Sequence, residues 1–412
     1  MTLAIRIAIR YLFAKKSQNI INIISWISVI GILTGSLGLL LVLSVFNGLH
    51  GLIGSFFSTF DPDFKIEPER GKVFSIDSID YRGLVAIDGV EAATMVMEDH
   101  VLFRFSNRQV PGRILGVDDS FNQVSAIDTI IVDGEFRLQY NNMPEAVVGY
   151  ALASQLALRM NFVTPLMMYA PERSGRINPA RPDQAFRSQY AQPSGMFMVN
   201  QIDYDAGYVI IHINQARELL DYDENTVSWI GVRVADGVRQ ESVRQRLQNH
   251  LGEHFTVKNR EEQHDTFFRM MKVEKLMSYL ILSFILLIAI FNVIGTLSML
   301  IFEKKESIAT LRSMGATRQL INKIFLFEGW LISLAGMTGG ILLGVLLVWL
   351  QQTYGLLRFQ GGEAFVVDAY PVILRWVDVL TVFLTVSITG FLAAWYPVRV
   401  IVRRYYPVNR QE

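Results

Sequence analysis

Four stretches of the chain carry no charged side chain for long enough to cross a bilayer: Ser17 to Phe60, Leu276 to Phe302, Gly329 to Leu357 and Val379 to Val398. About 30 Å of hydrocarbon takes roughly 20 helical residues, so each stretch predicts a membrane-spanning helix. The first far exceeds the roughly 7 to 15 apolar residues of a cleavable signal, which predicts a retained anchor whose outer part stands clear of the membrane as a stalk. Before the second span, Glu261 to Met277 mixes charges with Phe267, Phe268, Met271 and Leu276 at near-helical spacing, predicting a matching stalk. Lys and Arg gather before the first span (Arg6, Arg10, Lys15, Lys16), between the second and third (Lys304, Lys305, Arg312, Arg318, Lys323) and after the fourth (Arg399, Arg403, Arg404, Arg410). Positive residues stay on the cytoplasmic side, so both termini and the second connection are expected inside. Arg6 and Arg10 share one face of an apolar stretch, as in a short helix lying on the membrane surface.

Between the first two spans the pattern changes to that of a soluble domain. Glu98 to Asp118 alternates and breaks at Ser106-Asn107, predicting a hairpin. Ala206 to Ile213 and Thr226 to Val234 read as strands, Ala146 to Leu158 as a strand turning into a short helix, and Val238 to Leu251 as an amphipathic helix after the Asp236-Gly237 turn. The predicted fold class is an α-helical membrane protein with four transmembrane helices plus a large α+β domain inserted between helices 1 and 2. Its parts are an amphipathic N-terminal helix at 1–16, helix 1 and its stalk at 17–60, and the outside domain at 61–260 in two lobes, the second at about 146–224. There follow the second stalk and helix at 261–302, an inner loop at 303–328, helix 3 at 329–357, an outer loop at 358–378, helix 4 at 379–398 and a cytoplasmic tail at 399–412. Pro171 to Gly195 holds four prolines, two glycines and four arginines and reads as a long surface loop, either uncommitted or an arm that grips a partner. Gly336, Gly340 and Gly344, like Gly31 and Gly35, place small residues on one helical face where another helix can approach. Asn292 and Thr296 are polar groups within the second span, suited to bonding between helices.

Composition narrows the chemistry. The 412 residues are 51% hydrophobic and 18% charged, with 38 basic against 38 acidic side chains and no cysteine. Zero net charge offers no cationic field for nucleic acid, and without cysteine there is no disulfide, thiolate metal site or thiol nucleophile. No phosphate-binding G-x-x-x-x-G-K-[ST], H-E-x-x-H or G-x-S-x-G is present, so no catalytic residue is nominated and any ATP must be hydrolysed by another chain. Glu262, His264 and Asp265 crowd together but read as the solvated face of the stalk.

The inner loop is the most informative segment. Ser307 can cap a short helix in which Ile308, Leu311 and Met314 form an apolar stripe, and Gly315 can end it. Such a helix suits the groove of a soluble partner or, equally, the membrane surface. Glu303-Lys304 with Glu306, Ile308, Leu311, Arg312, Met314, Gly315, Ala316 and Thr317 resembles the E-[KR]-x-x-E-[IV]-x-x-L-[RK]-x-x-G-[AL]-[TS] signature of the FtsX-type permease domain of four-helix ABC transporters. Leu43-Ser44-Val45-Phe46-Asn47-Gly48 is similar to the L-S-V-M-N-G of the lipoprotein-releasing permeases of the LolC/LolE family, as are Ser25-Trp26-Ile27-Ser28, Ala151 to Leu158 and Phe291-Asn292-Val293-Ile294 to other segments of that family. Asn161 to Thr164, His50-Gly51 and the tail from Tyr405 depart from its pattern.

The resemblance implies a large MacB-like periplasmic domain and an inner-membrane permease without bound cofactor, served by a LolD-like ATPase that uses ATP and Mg. Glu303, Glu306, Ser307, Ile308, Leu311, Arg312, Met314 and Gly315 would dock that ATPase. Pro171, Gly175, Arg176, Ile177, Pro179 and Phe186 fall where the family has a hook for a LolA-like periplasmic carrier. Val42, Phe46 and Leu49 on helix 1, with Phe291 and Ile294 on helix 2, are expected to line a cavity for lipoproteins. A second permease copy or a sister subunit would complete the complex. A MacB-like exporter and an FtsX-like mechanotransmitter controlling a cell-wall hydrolase are the alternatives.

Overall fold

The computed structural model describes residues 6–7, 19–158, 164–173, 185–358 and 369–405. The chain divides into two compact units, one formed by 1–52 with 269–412 and the other by 53–268. Gly175, Arg176, Ile177 and Pro179, and almost all of the predicted N-terminal helix, lie outside the described residues.

Four helices among the described residues are long and apolar enough to cross a membrane. They are Asn19–Phe60, Asp265–Glu303, Arg318–Tyr354 and Trp376–Tyr405. Small residues set their spacing. A Cβ at Gly336 would meet the Val29 carbonyl oxygen at 2.7 Å, one at Gly340 the Leu33 carbonyl oxygen at 2.5 Å, and one at Gly344 the Leu40 side chain at 2.8 Å. Every fourth residue of the third helix therefore lies against the first, and the two run parallel. The second helix runs antiparallel to the first: Ser28 and Thr296 share a 2.8 Å hydroxyl bond, and the Cβ positions of Gly31 and Gly35 face Ala289 and Leu286. Thr296 thus bonds between helices, whereas Asn292 faces outward. The third and fourth helices also run antiparallel, with Ala394 against Gly329 and Ser333 against Gly390. The core of this bundle is Ile32, Leu39, Leu40, Leu43, Leu286, Ile290, Val293 and their neighbours.

The other unit is built on one 11-stranded sheet. Nine of its strands run in the order Phe255–Asn259, Phe64–Pro68, Trp229–Val234, Val90–Phe105, Arg108–Val117, Tyr208–His212, Met143–Gly149, Phe186–Phe197 and Ile131–Gly134, and two more pair off that path, Gln139–Tyr140 on Met143–Gly149 and Leu166–Pro171 on both Val90–Phe105 and Phe186–Phe197. The long hairpin turns at Ser106, whose φ of 54° fits the predicted break. Strands from the first and middle parts of the domain share this sheet, and among the described residues its packing includes two cores. One gathers Phe64, Ile66, Val232, Val243 and Leu247, with the helix Gln240–Leu251. The other gathers Phe103, Ile114, Val148, Leu152, Leu166, Ile211 and Leu219.

One expectation is corrected. Within the segment read as a loop, Phe186–Phe197 is a strand, antiparallel to Leu166–Pro171 and parallel to Met143–Gly149. Its first half is exposed, and burial begins only at Ala191. Polar residues such as Arg187, Ser188 and Gln189 are tolerated there because the backbone is paired across the sheet while the side chains reach water.

Candidate functional site

The inner connection forms a helix at Lys305–Ser313, between the second and third long helices. Ser307 does not cap it. The cap lies three residues earlier, at Lys304, which makes no capping side-chain bond. Gly315, at φ +86°, ends it as expected, with Ala316 donating its backbone N–H to the Leu311 carbonyl at 3.0 Å. Thr317 then caps the third long helix through the Leu320 N–H. The predicted apolar stripe divides. Ile308 is buried with Leu300, Ile301, Ile321, Phe325 and Val398, whereas Leu311 is half-buried and Met314 is 75% exposed. Ile308 therefore anchors the helix, and the face left for a partner is Leu311 and Met314 flanked by Glu306 and Arg312, both exposed.

The predicted cavity residues are not brought together. Val42 and Phe46 are half-buried and Leu49 is exposed on the first helix, but the antiparallel register that joins Ser28 to Thr296 joins Asn47 to Lys275. At 1.5 Å per residue, Phe291 lies roughly 24 Å along the axis from Lys275, and Ile294 farther still. The residues of the second helix level with Phe46 belong to the exposed series Leu276, Met277 and Leu280.

At that level a polar cluster appears that hydrophobic patterning missed. Asn47, 2% exposed, donates its amide to Asp378 Oδ2 at 2.5 Å and to the Ile373 carbonyl at 3.2 Å. Lys275 donates to Asn47 Oδ1 at 2.7 Å and pairs with Asp378 at 3.4 Å. Ile373 donates its N–H to the Ser44 carbonyl. A Cβ on Gly48 would strike the Pro371 carbonyl oxygen, so the Asn-Gly pair has a structural meaning: the amide ties three helices, and the glycine lets the connection lie against the first. The available signal was the Leu-Ser-Val-Phe-Asn-Gly run itself, but nothing local indicated that Lys275 and Asp378 were its partners.

Of the arm residues, Pro171 and Phe186 face each other at the end of their antiparallel strand pairing, with the Glu172 N–H bonded to the Ala185 carbonyl just beyond, and Phe186 is 49% exposed. The solvated-face reading is corrected for Glu262 and His264, while Asp265 is exposed at the start of the second long helix. Glu262 closes a capping box with Asn259 and pairs with Arg244 at 2.9 Å, while His264 Nε2 lies 2.6 Å from Asp61. Neither is a merely solvated side chain. The Asn259–Glu262 capping box is a local signal that the sequence offered, whereas Asp61, the partner of His264, lies 203 positions away, beyond the reach of local patterning.

The family model described as FtsX-like permease C-terminal matches residues 279–405. The model described as MacB-like periplasmic core domain matches residues 25–250, more than half of the chain. The chain is 22% identical over 260 residues to the lipoprotein-releasing system transmembrane protein LolE of Haemophilus influenzae, covering 61% of this chain and 60% of the relative. It is 23% identical over 212 residues to the corresponding LolC of Xylella fastidiosa, covering 50% and 51%. It is 22% identical over 312 residues to LolC of Buchnera aphidicola subsp. Schizaphis graminum, covering 76% and 75%. The matched part thus spans about half to three-fifths of the length of the first two relatives. Among solved structures, the periplasmic region of MacB from Actinobacillus actinomycetemcomitans is similar at 11% identity and a TM-score of 0.34, over 50% of this chain and 91% of that one.

Proposed function

The chain belongs to the family of permeases that join a MacB-like periplasmic core domain to an FtsX-like permease domain, and from that membership we propose that it is the membrane subunit of an ATP-driven machine that lifts lipoproteins from the inner membrane and passes them to a periplasmic carrier. Both termini and the Lys305–Ser313 helix are then cytoplasmic. A separate ATPase subunit, holding ATP and Mg, docks on Leu311 and Met314. A second permease, identical or sister, completes the membrane part.

The observation that carries this reading is the divided face of the Lys305–Ser313 helix. Ile308 roots it in the bundle while Met314 stands 75% exposed, as suits a short helix that fills a groove on a soluble partner. The likeness to proteins named as lipoprotein-releasing supports the choice of cargo. Thermodynamics supports the need for ATP: drawing an acyl chain out of a bilayer costs about 0.8 kcal/mol per CH₂. The cavity for those chains is assigned to Val42, Phe46 and Leu49, together with the outer part of the second helix around Leu276 and Leu280. The carrier hook is assigned to the segment between Pro171 and Phe186.

The test is a mild-detergent isolation of the tagged chain from native membranes, with mass spectrometry of proteins and lipids. An ATPase together with triacylated lipoproteins is the expected result. An ATPase with an adaptor or a wall hydrolase and no lipoprotein would replace this reading with export or mechanotransmission, and reproducible absence of any ATPase would end it.

A further inference from the structure

The long first helix ends at Phe60 and the second begins at Asp265, both within the unit formed by 53–268, so the sheet-bearing part of that unit is entered at Asp61 and left at His264. These residues are 203 positions apart, and their side chains meet at 2.6 Å. A third residue joins them. Tyr204, on the short helix Ile202–Asp205, donates its hydroxyl to Asp61, 2.8 and 2.9 Å from the two carboxylate oxygens, and lies 3.1 Å from His264 Nε2. Asp61 and Tyr204 are buried. The rings of Phe60 and Tyr208 flank that of Tyr204, with centroids 4.7 and 5.5 Å away. The neighbouring positions are zipped as well: Gln263 donates to the Pro62 carbonyl at 3.2 Å, and Arg260 pairs with Asp63 at 3.1 Å.

A buried polar network of this kind is a poor device for stability alone, because desolvation offsets most of its attraction and an apolar cluster would serve as well. What it supplies is directional: a carboxylate held by donors from two other segments has one geometry. Resting on the permease reading above, we propose that Asp61, Tyr204 and His264 form a clasp fixing the separation of the domain's entry and exit points, and that they are positioning residues through which movement of the two helices reaches the outside domain. Without the clasp the two ends can move apart within the domain, and the stroke is absorbed there.

The experiment uses the full chain with its ATPase and partner permease in proteoliposomes, reading both ATP hydrolysis and transfer of a triacylated lipoprotein to a soluble carrier. In Tyr204→Phe and His264→Ala, release per ATP is expected to fall roughly tenfold, the effect of losing one hydrogen bond to a charged group. Assembly and ATP hydrolysis are expected to stay near wild type. His264→Gln, which keeps a donor for Asp61, is expected to retain most of the release. Should His264→Ala fail to fold, Tyr204→Phe, which removes a single oxygen, decides. The clasp is overturned if Tyr204→Phe releases at the wild-type ratio, if hydrolysis and release fall in equal proportion, or if His264→Gln is as impaired as His264→Ala in a folded complex. A wild-type complex that hydrolyses ATP but releases no lipoprotein overturns instead the proposed function, and the coupling role with it.

Discussion

Replacing Glu98 by glutamine tests whether the polar centre of the outside domain is held by an ionised carboxylate. Glu98 lies on the strand Val90–Phe105 and accepts the Tyr208 hydroxyl at 2.9 Å on one oxygen and the Trp229 indole N–H at 2.9 Å on the other. Arg113 stands 3.4 Å and Lys65 3.8 Å away. Burial pushes the carboxyl pKa up, but Lys65, the Trp229 and Tyr208 donors and Arg113 together hold it below the ordinary value of 4.5. A neutral donor bonded to a charged acceptor is worth about 1.5–3 kcal/mol, against about 0.5–1.5 for a neutral pair. Exchanging carboxylate for amide should therefore cost about 2 kcal/mol over the two bonds. The Arg113 ion pair adds little, since that side chain is 46% exposed and its charge is screened by water.

For a domain of about 200 residues, 2 kcal/mol corresponds to roughly 4–8 °C in Tm. The pH dependence carries a definite sign. Because the folded pKa lies below the unfolded one, the stabilisation from Glu98 is present above about pH 4.5 and is lost as pH falls through the folded value. Thermal unfolding of the full chain in detergent, wild type against Glu98→Gln, should show the full gap at pH 7.5 and a shrinking gap below pH 4.5. A gap that stays constant down to pH 3.5, or no gap at pH 7.5, would refute the idea of an ionised carboxylate at this centre.

On the inner helix, Leu311→Asp or Met314→Asp should abolish co-purification of the ATPase while leaving the chain folded, whereas Ile308→Asp should destabilise the chain itself, being buried; equal, fully assembled complexes from all three would remove the docking assignment. Asn47→Ala leaves Lys275 and the buried Asp378 with only their 3.4 Å pairing in this cluster, and should lower stability in detergent by about 1–3 kcal/mol, read as a Tm shift against Asn47→Gln. In the bundle, Gly340→Ala should cost about 1–3 kcal/mol through overpacking against Ser36 and the Leu33 carbonyl. Gly38→Ala, with nothing within 4 Å of the new methyl, should be neutral or stabilising by up to about 1 kcal/mol; the reverse order in thermal unfolding would contradict the helix packing.

What the sequence made legible was local, and the misses have one physical cause. The four long helices follow from the absence of charge over bilayer length, and the hairpin from alternation around Ser106-Asn107, because each signal sits within one element. Gly315 ended its helix because positive φ is a property of a single residue. Phe186–Phe197 carries no local strand signal because a strand held by two neighbours needs no apolar alternation of its own. Phe291 and Ile294 were grouped with Phe46 because helical spacing within each span gives a face but not a level. That level is set by the register between helices, visible only once Ser28 meets Thr296 and Asn47 meets Lys275.

The same reason explains why local patterning places His264 on a solvated face and is silent on the partners of Lys275. Local patterning assigns a charged residue to water by default, and for His264 the partner that withdraws it from water lies 203 positions away. Lys275 likewise reaches back to Asn47 on the first helix and forward to Asp378 at the start of the fourth. Both clusters stand where long helices end or connections begin. There a bonded carboxylate fixes geometry in a way that apolar packing, which has no direction, does not. In a protein proposed to convert movement of helices into delivery of cargo, such directional contacts belong at the ends of the levers. Glu98→Gln weakens the hold on Tyr208, whose ring stacks on that of Tyr204, and should lower release per ATP as well as Tm; an unchanged release ratio would confine Glu98 to stability.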